Sequence, residues 1–467
     1  MKSRRNVCRP GAKQPVEPAA SADKTRDGEA PVIIGKDDHP IREQNIDREA
    51  LKVLYRLRDA GFKGYLVGGG VRDLYLKKRP KDFDISTDAR PGQLRKLFRN
   101  SRTIGRRFRL VQVFFRGNKI IEVSTLRSRS EYTLDDQEVL PSNNTFGTLQ
   151  EDAFRRDLTI NSLFYEVEGH TIIDYVGGVD DLNCGVIRMV GDPDRRFTRD
   201  PVRMMRAIRH ASRTQFTVDE DTLAAVRRNL AKLEICPPSR IRDEVLKDLR
   251  SGAARPWFDL CLDSGLWTTL FPIYAELLNS TQADMVRQEL RAYLGVLDRL
   301  HRASSDNPEV RLEDSFLFAV LLLPWACRQY DLPDRQVRGP EYNRLCRTLR
   351  DDLSAHFAGR FNLKRMAREN MTSLLVNLST FHLQQKGESW PKWLKKKSYF
   401  ADCRRFYAVF AEGRGEMTAD SSLFTTHHRG RQGDPVKSGA SRSSRRRGGV
   451  NPAFSSRRRG VFGLRKK

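Results

Sequence analysis

The sequence predicts an α+β protein: an N-terminal part with a mixed sheet and helices, an all-α second half and a disordered basic tail. Three observations carry this prediction. Short β-prone segments alternate with helical patterns up to about residue 190, and only helical spacing recurs beyond Leu223. The last segment, 427–467, holds thirteen Lys or Arg against the single Asp434, a net charge of +12.

Composition bounds the class of partner. The 467 residues are 39% hydrophobic and 31% charged, which suits two to four soluble domains. A net charge of +26 favours nucleic acid first and an anionic membrane second. No membrane segment is expected, because the longest apolar run ends at Pro324. The N-terminus lacks the apolar core of a secretory signal, and seven scattered cysteines without CxxC spacing indicate reduced thiols and a cytoplasmic protein.

Residues 1–30 have no periodicity and are expected to be a disordered arm. A helix begins near Ile46, with Asp47 and Glu49 in its first turn, and Gly61 ends it. The next stretch, Tyr65–Ser86, begins with a strand at Tyr65–Val67 and a turn at Gly68, Gly69 and Gly70. A helix over Val71–Lys77 follows. Such a turn can direct backbone N–H groups at an anion.

The pattern Lys81–Ile85 predicts a second strand, on which Asp82 and Asp84 share one face. Neighbouring carboxylates repel each other unless a cation lies between them. A divalent metal site, most simply Mg²⁺ beside a phosphate cradle, would suit phosphoryl or nucleotidyl transfer. Each of the two motifs also has a structural alternative: the glycines could form an ordinary turn, and the two aspartates could lie on a solvated strand edge.

A helix is predicted over Pro91–Phe98, followed by strands at Leu110–Phe115 and Lys119–Thr125. Glu122 is the sole acid of the last strand, and an acid between apolar neighbours needs a partner. It could complete a carboxylate triad with the Asp pair, or it could form a salt bridge to a nearby arginine.

A polar, turn-rich segment at Asp135–Thr148 predicts a mobile loop. Glu151–Leu163 then predicts a helix in which Arg155, Arg156 and Asp157 spread over more than half the circumference. Paired arginines suit a triphosphate, because guanidinium groups bind phosphate oxygens in bidentate fashion. The alternative is a solvated charged helix.

The segment Thr198–Ser212 predicts a helix with Asp200 at its cap and a proline in its first turn. Capping alone would explain Asp200. Arg203 and Arg206 share one face, and this polar face could read the edge of a nucleobase. Further helical patterns follow at Leu223–Leu233, Ser239–Leu249, Trp257–Leu262, Met285–Leu300, Asp314–Leu323 and Arg365–Leu378.

Order is expected to fail after about Ala419. The tail carries arginine and lysine clusters at 445–447, 457–459 and 465–467, with Phe454 and Phe462 between them. Cations that neutralise phosphates and rings that stack on bases predict a sequence-tolerant RNA tether. The alternative is a tail that only improves solubility.

Together these motifs resemble the class II nucleotidyltransferases, the superfamily of bacterial poly(A) polymerase and the CCA-adding tRNA nucleotidyltransferases, over roughly residues 31–255. The matching motifs are GGGVRD with DFD at 68–84, RRDxTxN at 155–161 and RDPVRMMRA at 199–207. The resemblance implies that Asp82 and Asp84 ligate Mg²⁺, that Glu122 and Asp157 support catalysis, and that further residues bind the nucleotide. Those implied for nucleotide binding are Gly69, Gly70, Arg72, Arg155, Arg156, Asn161, Asp200, Arg203 and Arg206.

Within the superfamily, the segment 105–113 (GRRFRLVQV) and the basic tail resemble the poly(A) polymerase branch. Two positions depart from the usual pattern: Arg199 stands where the family has Glu, and Gln112 stands where it has His. The resemblance implies a nucleotidyltransferase head at 31–192, a nucleobase-template neck at 193–255, an RNA-binding body at 256–418 and a disordered tail at 419–467.

The implied activity is template-independent transfer of AMP from ATP to RNA 3′ ends, with two Mg²⁺ ions in the site. Partners would be RNA 3′ ends, ATP and RNA-decay machinery. CCA addition to tRNA is the enzymatic alternative, because it uses the same catalytic residues. A non-catalytic RNA-binding protein on a transferase scaffold is the second alternative.

Overall fold

The computed structural model describes residues 30–105, 109–128, 146–306, 312–385 and 389–425. The predicted arm up to residue 29, the predicted loop as far as residue 145 and the tail from residue 426 lie outside the described residues.

One mixed sheet of eight strands organises the N-terminal part, in the order β1-β8-β7-β2-β3-β6-β5-β4. β3 and β6 are parallel to each other, whereas the other neighbouring pairs are antiparallel. The strands are β1 (Val32–Ile34), β2 (Gly64–Val67), β3 (Asp84–Thr87), β4 (Ser101–Ile104), β5 (Leu110–Phe114), β6 (Ile120–Thr125), β7 (Phe164–Glu166) and β8 (Thr171–Asp174). The mixed-sheet prediction is confirmed.

At the centre of the sheet, the pairing register brings the end of β2, the start of β3 and a residue of β6 close together. Val67, the last residue of β2, pairs with Asp84, the first residue of β3. Asp84 in turn lies beside Glu122 on β6. Because β2 and β3 run in opposite directions, the turn that follows Val67 opens at the same edge as the acidic residues.

The described part of the head has five α-helices, and two of them begin at a capping side chain. The side chain of Asp47 accepts hydrogen bonds from the backbone N–H groups of Glu49 and Ala50, at 2.9 and 3.3 Å, as its position predicted. Thr148 caps a later helix through the backbone N–H of Glu151. These helices are α1 (Arg48–Asp59), α2 (Gly69–Tyr75), α3 (Pro91–Leu97), α4 (Leu149–Arg155) and α5 (Gly178–Cys184).

The rest of the described chain is helical, apart from a two-stranded parallel pair of β9 (Val186–Ile187) and β10 (Thr217–Val218). The helices up to the middle of this part are α6 (Pro193–Arg199), α7 (Val202–Thr214), α8 (Glu220–Asn229), α9 (Pro238–Leu249), α10 (Ala254–Ser264), α11 (Leu266–Leu270), α12 (Ala275–Leu278) and α13 (Ala283–Asp306). The remaining ones are α14 (Asp314–Leu321), α15 (Leu323–Tyr330), α16 (Pro340–Leu353), α17 (Gly359–Phe361), α18 (Arg365–Gln384), α19 (Lys392–Lys395) and α20 (Phe400–Gly413).

One hydrophobic core runs from Ile41 in the head to Phe424 near the end of the described chain. It includes inward-facing residues of the sheet, α7 and the aromatic pairs of the helical half, so the helices after the sheet pack directly on it. The domain boundaries at 192, 255 and 418 stay predictions. Among the described residues, no helix is long and apolar enough to cross a membrane.

Four predicted elements differ from the structure. The strand expected at Lys81–Ile85 begins only at Asp84, so Asp82 lies in the loop before it and the shared-face argument does not apply. The helix expected over Glu151–Leu163 ends at Arg155, because Arg156 adopts an extended conformation (φ −64°, ψ 167°). Leu158 then forms a bridge with Met189.

The helix expected over Thr198–Ser212 is two helices, α6 and α7, with Asp200 between them. The side chain of Asp200 does not cap α7, so capping does not explain this residue. Order also continues beyond Ala419: a 3₁₀ turn at Ser421–Phe424 buries Phe424 in the core.

Candidate active site

A cleft of about 670 Å³ opens at the edge of the sheet where β2 ends and β3 begins. All residues that the sequence singled out for the site line this one cleft: Gly69, Gly70, Arg72, Asp82, Asp84, Glu122, Arg155, Arg156, Asp157, Asn161, Asp200, Arg203 and Arg206. The structure therefore brings together three motifs that are distant in the sequence. The chemical role of each residue stays a prediction.

The glycine turn forms one wall of the cleft. Gly68 has φ +69°, a conformation that glycine adopts at little cost, and α2 starts at the next residue. A side-chain Cβ added to Gly70 would lie 3.3 Å from the backbone oxygen of Asp82. Because glycine has no side chain, α2 can pack close to the loop before β3.

Acidic side chains form the floor. Desolvation in the cleft, followed by the negative charges of Glu122 and Asp82, raises the pKa of Asp84 to about 6. The Arg156 guanidinium acts in the opposite direction. Gln112 lies opposite Glu122 on β5 and donates a hydrogen bond of 2.9 Å to its Oε1. Glu122 is thus oriented by an amide and forms no ion pair among the described side chains.

This donor set fits Mg²⁺. Burial first, and then repulsion from Glu122 and Asp82, disfavour the charge on Asp84, and a divalent cation would offset both effects. No group of three or more His, Cys, Asp or Glu side chains in the described part of the chain is arranged to hold a metal ion. Mg²⁺ commonly binds one or two carboxylates and takes its other ligands from water and substrate phosphates, so a two-carboxylate site suffices.

Paired arginines face the carboxylates across the cleft. Both bind the buried Asp152, which accepts hydrogen bonds from Arg155 Nε at 2.7 Å and Arg156 Nη2 at 2.8 Å. Arg156 also donates to Ser86 Oγ at 3.2 Å, on the strand that starts with Asp84. Two guanidinium groups share one carboxylate, which leaves an excess of positive charge suited to phosphate oxygens.

Asp157 is held ionised by α7. Burial alone would raise its pKa, but the charges that include those of Arg206 and Arg203 hold the pKa of Asp157 below its usual value. Arg206 Nη1 lies 3.4 Å from Asp157 Oδ2, and Arg206 Nη2 lies 3.5 Å from the buried carboxylate of Glu244. This arginine therefore links the end of the second motif to α7 and α9.

The third motif presents unsatisfied polar atoms. Asp200 accepts a 2.8 Å hydrogen bond from Arg240 through Oδ2, while its buried Oδ1 has no hydrogen-bond partner. Nε and Nη1 of Arg203 are also buried without hydrogen-bond partners, and Nε lies 3.9 Å from Asp200 Oδ2 in an ion pair. An acceptor and donors left unpaired on one wall match the paired edge of a nucleobase, since buried polar groups normally find partners.

Arg72 joins the parts of the site. This buried side chain donates to Asp73 Oδ1 through Nε (2.9 Å) and Nη2 (2.7 Å). Its Nη1 contacts Asn161 Oδ1 at 2.8 Å and His210 Nδ1 at 3.1 Å. Burial, followed by the charge of Arg72, holds the pKa of His210 well below its usual range, so the imidazole is neutral.

The sequence analysis missed His210 and Arg240, which line the cleft, and the buried Asp152 that holds its arginine pair. His210 lies one helical turn after Arg206, which is a signal that helical periodicity offers for a site-facing residue. Asp152 precedes Arg156 by four positions, the spacing of a helical ion pair. Nothing in the sequence pattern points to Arg240, which reaches the cleft from α9.

Comparison with known proteins agrees with this geometry. Residues 64–188 match the family described as "Poly A polymerase head domain", and residues 215–278 match "Probable RNA and SrmB- binding site of polymerase A". Poly(A) polymerase I of Salmonella typhi is 42% identical over 297 residues, which are 62% of this chain and 63% of that protein. The chain thus aligns with less than two thirds of the length of this relative.

A CCA-adding enzyme of Lactobacillus helveticus is 40% identical over 219 residues, 47% of this chain and 54% of that protein. A solved apo structure of a CCA-adding enzyme shares the fold, with a TM-score of 0.56 at 19% identity over 81% of this chain and 84% of the other. Residues 64–188 thus match the poly(A) polymerase head-domain family, the chain is similar in sequence to poly(A) polymerase I, and it shares its fold with a CCA-adding enzyme.

Proposed function

We propose that this chain transfers AMP from ATP to the 3′ ends of RNA without a template and repeats the reaction to grow a poly(A) tail. The observation that carries the proposal is the single cleft that places the carboxylate pair, the arginine pair and the unsatisfied Asp200 and Arg203 around one volume. These are the groups needed for metal, triphosphate and base.

In this reaction the RNA 3′-hydroxyl attacks the α-phosphate, a P–O bond to the RNA forms, and the bond to pyrophosphate breaks. Asp82 and Asp84 would hold Mg²⁺ ions, which supply charge stabilisation for the attacking and leaving oxygens when bound. Glu122, oriented by Gln112, lies beside Asp84 and adds negative charge to the same edge.

The arginines would position the triphosphate. Arg155 and Arg156, fixed by Asp152, offer guanidinium groups to the triphosphate, and the adjacent glycine turn lets the phosphates approach the backbone. Holding both reactants in line accounts for much of the rate in such a transfer, because the transition state needs little covalent help from the protein.

Asp200 and Arg203 would bind the base of the nucleotide. Adenine presents a donor beside an acceptor on its Watson–Crick edge, as cytosine also does, and Asp200 Oδ1 and Arg203 Nη1, which lack hydrogen bonds, are a complementary acceptor and donor. Arg199, which replaces the Glu usual in the family, ends α6 immediately before this pair.

Poly(A) addition is favoured over CCA addition by the longer match to poly(A) polymerase I: 62% of the chain against 47%. We further propose the predicted division into head, neck, RNA-binding body and tail, a cytoplasmic location, two Mg²⁺ ions, and RNA products that pass to decay machinery. CCA addition is the second candidate, supported by the relative from Lactobacillus helveticus.

The deciding experiment offers each nucleoside triphosphate separately, with Mg²⁺ and a generic RNA, and reads product length on a gel. We expect long products with ATP and little with the others. Products restricted to CTP and one ATP, stopping after three additions, would establish the CCA reaction instead.

A second experiment tests the carboxylates. Asp82→Ala should abolish AMP incorporation and leave RNA binding nearly unchanged, because Asp82 repels RNA phosphates rather than attracting them. Asp59→Ala, at an exposed carboxylate on α1, is the matched control and should leave incorporation intact. Incorporation retained by Asp82→Ala would overturn the metal assignment, and no incorporation by the unmodified chain would favour the non-catalytic scaffold.

A further inference from the structure

A second basic cavity lies in the head, between the start of α3 and the end of β6. Its volume is about 440 Å³. Its lining includes four cationic side chains and one aromatic ring: Arg90, Lys96, Arg109, Arg127 and Phe146. Among the described residues that line it, none is acidic, so the cavity carries a concentrated positive charge.

An arginine and an aromatic ring form one wall. Phe146 leaves 43% of its surface exposed, which is unusual for a phenylalanine that is part of an ordered bridge. The guanidinium carbon of Arg90 lies 5.2 Å from the centroid of its ring. A cation beside a ring presents flat surfaces on which nucleobases stack regardless of sequence.

The position of this ring is built into the fold. Phe146 forms an antiparallel bridge with Arg127, and the next residue, Gly147, donates its N–H to Leu126 at 3.1 Å. A Cβ on Gly147 would lie 2.4 Å from the backbone N and Cα of Ser128, so glycine is required for this approach. The ring is therefore held beside the end of β6.

Arg127 apart, the cations of this cavity have no carboxylate partner among the described residues. In the residues that the structure describes, no ion pair joins Arg90, Lys96 or Arg109 to a carboxylate. Burial, followed by the charge of Arg155, lowers the pKa of Arg127 to about 10. Positive charge thus accumulates at this end of the sheet, and an anionic ligand would relieve it.

The cavity adjoins the active site. Arg127 lines both volumes. Along β6, Glu122 and Ser124 line the cleft while Thr125 lines the second cavity. At about 3.3 Å per residue, Thr125 at the end of β6 is roughly 10 Å from Glu122 along the strand, a distance that a few nucleotides can bridge.

We propose that this cavity binds the single-stranded RNA just upstream of the reacting 3′ end, with a base against Arg90 and Phe146 and phosphates at Lys96 and Arg109. This inference takes RNA as the substrate and therefore rests on the proposed function. RNA fits better than a second nucleotide, because the cationic lining includes no acidic group to hold a metal with the phosphates. It fits better than an acidic peptide, because a nucleobase can stack on the exposed ring while its phosphates contact the cations.

The first test concerns the ring. A 5′-fluorescein-labelled A18 RNA is titrated with the full chain, without ATP or Mg²⁺, and anisotropy gives the dissociation constant. Phe146→Ala should weaken binding by about 5- to 150-fold, the range for losing a base stacked on an aromatic ring. Phe146→Trp should restore it. Equal affinity of Phe146→Ala and the parent chain would overturn the proposal.

The second test concerns the phosphates. The double variant Lys96→Gln and Arg109→Gln should reduce the slope of log K against log salt by about 1.4, since each lost contact to a single strand contributes about 0.7. The matched control is the double variant Lys52→Gln and Arg365→Gln, which removes the same charge at exposed positions elsewhere. An equal change in both doubles would show that only net charge matters.

The third test separates this site from the nucleotide site. Phe146→Ala should raise the KM for RNA and leave both the KM for ATP and kcat at saturating RNA near those of the parent. A raised KM for ATP with an unchanged KM for RNA would assign the cavity to the nucleotide and overturn the proposal. If the parent chain incorporates no AMP, the proposed function fails, while the two binding tests still decide whether RNA occupies this cavity.

Discussion

Replacing Arg72 by Lys should damage the active site while keeping its charge. The four hydrogen bonds of Arg72 run to Asp73, Asn161 and His210, and a lysine can retain the charge pair with Asp73 only. Two hydrogen bonds from a charged donor would be lost, at about 1.5 to 3 kcal/mol each. We expect a loss of about 3 kcal/mol in the free energy of unfolding, because some relaxation will recover part of the sum.

The assay is urea unfolding followed by circular dichroism, combined with kcat/KM for ATP. Arg58→Lys is a matched control: Arg58 also binds the following aspartate through Nε and Nη2, but on the exposed face of α1. This control should change neither quantity noticeably, because exposed ion pairs contribute little. A loss below about 1 kcal/mol for Arg72→Lys would show that the fork geometry at Arg72 is not needed.

Three further predictions follow from charged groups. Arg209→Met should destabilise the chain by about 3 to 5 kcal/mol in urea unfolding, because it leaves the buried carboxylates of Asp248 and Glu244 without their shared arginine; recovery of stability on adding Asp248→Asn would support this cause. Because the pKa of His210 is lowered in the folded state, only the unfolded state binds a proton at this residue just below about pH 6.5. The free energy of unfolding therefore falls as the pH falls. His210→Asn should remove up to about 1.4 kcal/mol per pH unit of that dependence in unfolding measured from pH 6.5 to 4.5. Deleting residues 427–467, which carry a net charge of +12, should weaken RNA binding and flatten its salt dependence; an unchanged slope would show that the tail does not bind RNA.

Local patterns gave a large part of the fold. The short strand at Tyr65–Val67 is where the sequence predicted it, and a helix follows it as expected, but this helix begins at Gly69, two residues before the predicted start at Val71. The capped helix after Asp47 is equally local. The all-helical character of the second half followed from spacing alone.

Elements that depend on distant partners were predicted less well. β4 consists of SRTI, which has no apolar alternation, and it exists because it pairs with β5. The helical spacing of Leu158, Ile160 and Leu163 suggested that α4 would continue, yet Leu158 bridges to Met189 and the chain leaves the helix. Asp200 and Pro201 have the sequence pattern of a helix start, but they lie at the junction between α6 and α7.

The candidate site shows the same division. Residue types and motif order identified its members, but their meeting depends on the parallel pairing of β3 with β6 and on the contacts of α7 and α9. Arg240 could not be found from sequence spacing, because only the packing of α9 brings it to Asp200.

The contact between Arg240 and Asp200 also bears on synthesis of the chain. The last strand of the sheet, β8, ends at Asp174, and a ribosome translating at about 5 to 20 residues per second needs roughly 3 to 13 s to go on to Arg240. During that interval the nascent sheet can already form, while the helix that secures the base-facing wall has not yet been made. A polypeptide released in this window would carry the acidic floor and the arginine pair but lack Arg240. Premature termination should therefore yield fragments unable to select a nucleotide, even where the head has folded.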